Sequence, residues 1–166
     1  MKDLITQIGP YHLGQPVASA SGLREFSADE YAKAEASGMR RTLRDEKLFD
    51  GPERLDLVAT PWEGTIVAST EEKIYKICLQ FNTRNGRFAK IVFRTALDFL
   101  VEEMGKYDEH RLLSKKYVWD RPTGNAIFYM MKGDPYHQNG PINSINLMFT
   151  ARFIVDQMAV PYEQRL

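Results

Sequence analysis

The period of the apolar pattern changes once in this chain, and that change limits the fold more than anything else in the sequence. Over 73–81, Tyr75, Ile77, Leu79 and Phe81 alternate with Lys76, Cys78 and Gln80. A two-residue period is that of a strand with one covered and one wetter face. After a polar break over 82–86, Phe88, Val92, Ala96, Phe99, Leu100 and Met104 recur mostly at three- and four-residue steps. Lys90, Arg94, Asp98 and Glu102 follow at i, i+4 on another face. This spacing predicts an amphipathic helix over 87–104, closed by Gly105, whose apolar stripe packs on the sheet.

Ser27 and Glu30 form a capping box, and Phe26 with Tyr31 forms a hydrophobic staple, so a short Ala-rich helix starts at Ser27 and ends at Gly38. Leu55, Leu57 and Ala59 alternate with Asp56 and Val58, and 65–67 reads as a strand, with turns at Asp50-Gly51-Pro52 and Pro61-Trp62-Glu63-Gly64. Strands over 115–120 and 125–132 form a hairpin about Arg121-Pro122-Thr123-Gly124, the second placing Ile127, Tyr129 and Met131 on one face. A strand over 144–150 turns Ile145, Leu147 and Phe149 inward and Asn146 and Met148 outward. The segment 153–159 reads as a last short helix or strand. Strands, a helix, then strands predict one α+β domain over 1–166: a single antiparallel sheet of five to six strands, one long helix on one face and a short N-terminal helix.

Composition narrows the function. The 22 basic and 22 acidic residues cancel, which argues against a general nucleic-acid binder. No apolar run reaches the ~20 residues of a membrane span. Nor is there an apolar signal segment near the start, so the expected compartment is the cytoplasm if Met1 is the native start; a trimmed leader would leave export open. Cys78 is the single cysteine, so no internal disulfide forms, and its apolar setting reads as a buried thiol rather than a nucleophile.

No nucleotide-binding glycine loop, zinc-protease helix or serine-hydrolase elbow is present. His12, His110 and His137 are far apart, and the adjacent Glu102 and Glu103 point about 100° apart on a helix, so neither a metal site nor a carboxylate pair is expected. No cofactor is expected. Two features remain. The helix over 87–104 reverses the charge order its dipole favours: Arg84, Arg87, Lys90 and Arg94 load the start, while Asp98, Glu102 and Glu103 load the end. The four basic residues are a candidate site for a phosphate, a sulfate or an acidic partner residue, against the plain reading of solvated side chains. The stretch 107–137 is rich in aromatics, and Tyr117, Trp119, Tyr129, Tyr136 and His137 are a candidate interaction surface, against cross-strand packing.

The runs Ile8-Gly9-Pro10-Tyr11-His12-Leu13-Gly14, Lys73-Ile74-Tyr75-Lys76-Ile77, Trp119-Asp120 with Gly124-Asn125, and Ile145-Asn146-Leu147 resemble a group of small bacterial proteins of unknown function. The opening is also faintly similar to BamE-like envelope domains, although Gly14-Gln15-Pro16 stands where those carry a Gly-Met pair. The first resemblance implies an α+β fold and transfers no catalytic residue. The leading expectation is a non-catalytic binding module for an unknown protein or small anionic ligand. The alternatives are an enzyme acting on a small anionic substrate, and a toxin-neutralising or envelope accessory protein.

Overall fold

The computed structural model describes residues 2–36, 45–133 and 138–152. Local turn chemistry sets the first hairpin. Strands β1 (Gln7–Ile8) and β2 (Tyr11–His12) are joined by Gly9, at φ 61°, and Pro10, a pairing that suits a mirror-image hairpin turn. Strand β3 (Arg24–Glu25) leads into α1 (Ala28–Ala36). The capping box forms: the Glu30 amide donates to Ser27 Oγ at 3.3 Å and the Ser27 amide to Glu30 Oε1 at 3.2 Å. Phe26 and Tyr31 rings meet at 5.7 Å. The expected cap at Gly38 lies outside the described residues, as does the segment 153–159.

Strand β4 (Lys47–Asp50) is followed by a small hairpin, β5 (Leu55–Leu57) and β6 (Thr60–Trp62), and then by β7 (Gly64–Thr70) and β8 (Lys73–Thr83). Helix α2 (Gly86–Met104) comes next, with β9 (Glu109–Arg111), β10 (Lys116–Arg121), β11 (Gly124–Lys132) and β12 (Asn143–Ala151) after it. Eight strands pair in the order β3-β4-β7-β8-β12-β11-β10-β9, antiparallel throughout, and β1-β2 and β5-β6 are separate two-stranded sheets.

The chain is therefore mostly β, which corrects the α+β expectation of one sheet of five to six strands under a long helix. The sheet is wider because β3, β4 and β9 are too short to show a period in the sequence. The alternation over 55–59 matches β5 in part, but the turn and return strand of the small hairpin are hidden for another reason. Its turn residues Val58 and Ala59 both take positive φ, 56° and 55°, without the glycine or asparagine that signals such a turn. Pro61-Trp62, read as a turn, is strand.

Helix α2 covers one face of the sheet. Asn85 caps it, its side chain accepting from the Arg87 and Phe88 amides, both at 3.1 Å. Val92, Phe93, Ala96, Leu100 and Met104 share a core with Ile77, Leu79, Phe128, Leu147 and Phe149. Phe93 stacks on Phe128 with ring centres 4.5 Å apart. Burying each large apolar side chain there contributes roughly 1.5–3 kcal/mol. Phe88 and Phe99, expected in the stripe, stand 45% and 42% exposed at its edges, and Ala89 and Phe93 take the buried positions.

Tyr75 also departs from expectation. Ala68 pairs with Lys76 and Ser69 with Ile74, so Tyr75 is an extra residue on β8. Such a bulge inverts the alternation beyond it. Ile74 therefore joins the α2-side core, while Tyr75 packs with Leu48 and Ala68 on the opposite face, beside Phe26 and Tyr31.

Candidate functional site

The face of the sheet turned away from α2 carries the side chains that the alternation leaves outward. Cross-strand register sets Cys78 beside Met148, Gln80 beside Asn146, and Tyr129 beside Asn146 on the other side. Gln80 Nε2 donates to Asn146 Oδ1 at 3.2 Å, and Ser144 Oγ to Asn82 Oδ1 at 2.5 Å, giving a ladder of amides and hydroxyls across β8 and β12. Toward β7 and β4 the surface becomes apolar, with Ile66, Ala68 and Leu48. Here the sheet encloses a concavity of about 410 Å3.

Its wall combines two kinds of residue. Leu48, Ile66, Ala68 and Met148 are apolar, while Glu46, Lys76, Gln80, Asn146 and Tyr129 supply donors and acceptors. Cys78 lies on its floor. Burial pushes the Cys78 thiol up to about 11 and Glu46 adds to the rise, against the opposing charge of Lys76. A thiol so placed is almost wholly protonated at neutral pH and is a poor nucleophile. Burial likewise raises the Tyr129 phenol above its ordinary range. Buried Glu46 accepts a hydrogen bond from the Tyr75 hydroxyl, and Lys76 Nζ lies 5.6 Å from the Tyr75 ring centre. The bulge at Tyr75 therefore shapes one end of the concavity.

None of the four basic residues expected to bind an anion lines this concavity. Arg84, Arg87, Lys90 and Arg94 are all exposed on or beside the start of α2. Arg84 Nη1 donates to the Gly140 carbonyl at 2.6 Å. Asn85 already occupies the helix N-terminus. Lys90 lines a shallower hollow of about 310 Å3 with His110, Leu112, Lys115 and Tyr117.

The aromatic residues divide between the two faces of the sheet. Trp119 is fully buried on the α2 side, its Nε1 donating to the Gly105 carbonyl at 2.8 Å. Tyr117 is half-buried on the same side, stacked on His110 at 4.2 Å and edge-on to Tyr107 at 4.8 Å. Tyr129 belongs to the open face. Tyr136 and His137 lie outside the described residues. The structure thus does not bring Tyr117 and Trp119 together with Tyr129 in one surface.

Sequence reasoning passed over Leu48, Ile66, Gln80 and Asn146 as site residues. Each is an ordinary strand residue, and only the pairing of β4, β7, β8 and β12 brings them around one hollow. Among the described residues no group of His, Cys, Asp and Glu is arranged to hold a metal ion, and no helix is long and apolar enough to cross a membrane. No family model matches the chain, and neither the curated proteins nor the solved structures include a match.

Proposed function

We propose that the protein is a non-catalytic binding module whose open sheet face takes a small, largely apolar molecule with one polar or negatively charged end. The observation that carries this reading is the lining of the concavity. Apolar walls with a few convergent polar groups are the usual form of a small-molecule site, and about 410 Å3 falls within the usual range of roughly 300–1,000 Å3. Leu48, Ile66 and Met148 would cover the apolar body, Gln80 and Asn146 would fix its orientation, and Lys76 would face the charged end. Burial makes Cys78, the one thiol at the site, a poor nucleophile, which favours binding over thiol chemistry.

The test is a fluorescence titration with 1-anilinonaphthalene-8-sulfonate, an apolar probe with one anionic group. The native protein should enhance its emission saturably at one site. Ile66→Trp, which fills the concavity from its wall, should abolish that enhancement while leaving the melting transition cooperative. Unchanged enhancement in the filled variant would exclude this site.

A further inference from the structure

The balanced total charge conceals a strongly cationic and apolar region at one end of the molecule. The turn between β9 and β10 carries Leu112 and Leu113, 80% and 104% exposed. These are adjacent leucines at the tip of a hairpin, and neither is covered by any described part of the chain. Arg111 precedes them and Lys115 and Lys116 follow.

Topology brings further cations to the same end. Lys116 pairs with Tyr129, so the hairpin tip lies on the side of the sheet where β11 ends at Lys132. Lys132 pairs with Asn143, and Asn143 with Thr83, three residues before α2 begins. The start of α2 therefore lies at this end, and Lys90 shares a hollow with Leu112 and Lys115. Glu109 is nearby but is engaged by Arg111 at 2.8 Å. The acidic residues Asp98, Glu102 and Glu103 occupy the other half of α2, and Lys90 and Glu102 are about 18 Å apart along the axis.

We infer that this end of the molecule docks on an anionic lipid bilayer, with Leu112 and Leu113 inserted among the headgroups and Lys90, Lys115 and Lys116 against the negative surface. Apolar tips and basic flanks have complementary tasks at such a surface. Burying leucine removes apolar area from water, and each basic side chain near an anionic leaflet adds attraction that falls off within a Debye length. An acidic protein would satisfy the cations but would not by itself call for two adjacent exposed leucines on the turn. The open-face concavity takes no part, so this inference stands apart from the proposed ligand site.

Vesicle co-sedimentation of the full chain tests it. Vesicles of equal parts phosphatidylcholine and phosphatidylserine should retain the protein, and phosphatidylcholine alone should not. Raising the salt should release it. Replacing both leucines, Leu112→Ser with Leu113→Ser, and separately reversing both lysines, Lys115→Glu with Lys116→Glu, should each weaken retention by about tenfold or more. Leu112, Leu113 and Lys115 sit on the exposed turn and Lys116 opens β10, so circular dichroism should be unchanged and the melting temperature nearly so. Equal retention on both vesicle types, no retention on either, or retention that survives both variants would overturn the inference. So would a dimer that the leucine variant dissolves in the absence of any vesicle binding, which would assign the tip to a second copy of this chain.

Discussion

Arg121 Nη2 donates to the Met104 carbonyl at 2.8 Å, so a strand supplies the cation that the last turn of α2 lacks. The same guanidinium donates to the carbonyls of Lys2 at 2.7 Å and Lys106 at 3.2 Å and pairs with Asp108 at 2.6 Å. Only 2% of its side chain is exposed. A helix whose own charges oppose its dipole is held by a buried arginine from outside it. That frees the start of α2 to stay basic and the far half to stay acidic.

Removing this arginine should therefore cost more than a typical surface charge. Arg121→Leu removes the guanidinium donor from the buried Met104 carbonyl and from the carbonyl of Lys2, a loss of about 3 kcal/mol. Asp108→Asn, at a site 43% exposed, should cost about 1 kcal/mol or less. Urea unfolding of both variants measures the difference.

Gly124 has no room for a side chain. A Cβ there would stand 2.1 Å from the Thr150 carbonyl oxygen, a backbone atom fixed in the β11–β12 ladder. Gly124→Ala should destabilise by about 1–3 kcal/mol, read as a lower urea midpoint with an unchanged slope.

The turn joining β7 to β8 has the opposite character. Glu71 and Glu72 take positive φ, 46° and 61°, in a position that favours Asn-Gly. Both are exposed, and the contacts they make here, the Glu71 amide to Asp45 Oδ2 and the Glu72 carbonyl to the Val17 amide, are backbone groups that survive substitution. Glu71→Asn with Glu72→Gly should stabilise by about 1–2 kcal/mol, raising the melting temperature by roughly 2–4 °C per kcal/mol.

Cys78 gives the pH test. Its folded thiol is raised to about 11 from an ordinary 9.0, so the neutral form is favoured in the folded state. The resulting stability is present in full below pH 9 and is lost as the pH climbs toward 11, because the unfolded chain releases its proton first. Cys78→Ala should flatten that alkaline decline. At pH 8 the native thiol should react with iodoacetamide on the order of a hundredfold more slowly than the thiol of the urea-unfolded chain.

The parts of the fold legible in the sequence are those whose signal is local. Ser27, Glu30, Phe26 and Tyr31 fall within one helix start, and the capping box and staple form between them. The α2 stripe follows a period sustained over five turns, although which of Phe88, Ala89, Phe93 and Phe99 is covered depends on where the sheet lies beneath it. Alternation alone places Tyr75 on the α2 face; the bulge moves it to the other, and nothing in Ile74-Tyr75-Lys76 marks a bulge. The wetter face of β8, with Lys76, Cys78 and Gln80, was legible from alternation. Its concavity was not, since Leu48 and Met148 are a hundred positions apart and meet only through strand order.

The central claim is that the open sheet face holds a ligand, and amide chemical-shift mapping tests it most directly. On titration with 1-anilinonaphthalene-8-sulfonate, the amides of Ile66, Cys78, Gln80, Asn146 and Met148 should shift together and saturate with one affinity, while those of 87–94 and 111–116 stay fixed. Shifts confined to 87–94 and 111–116, or scattered over both faces without saturation, would contradict it.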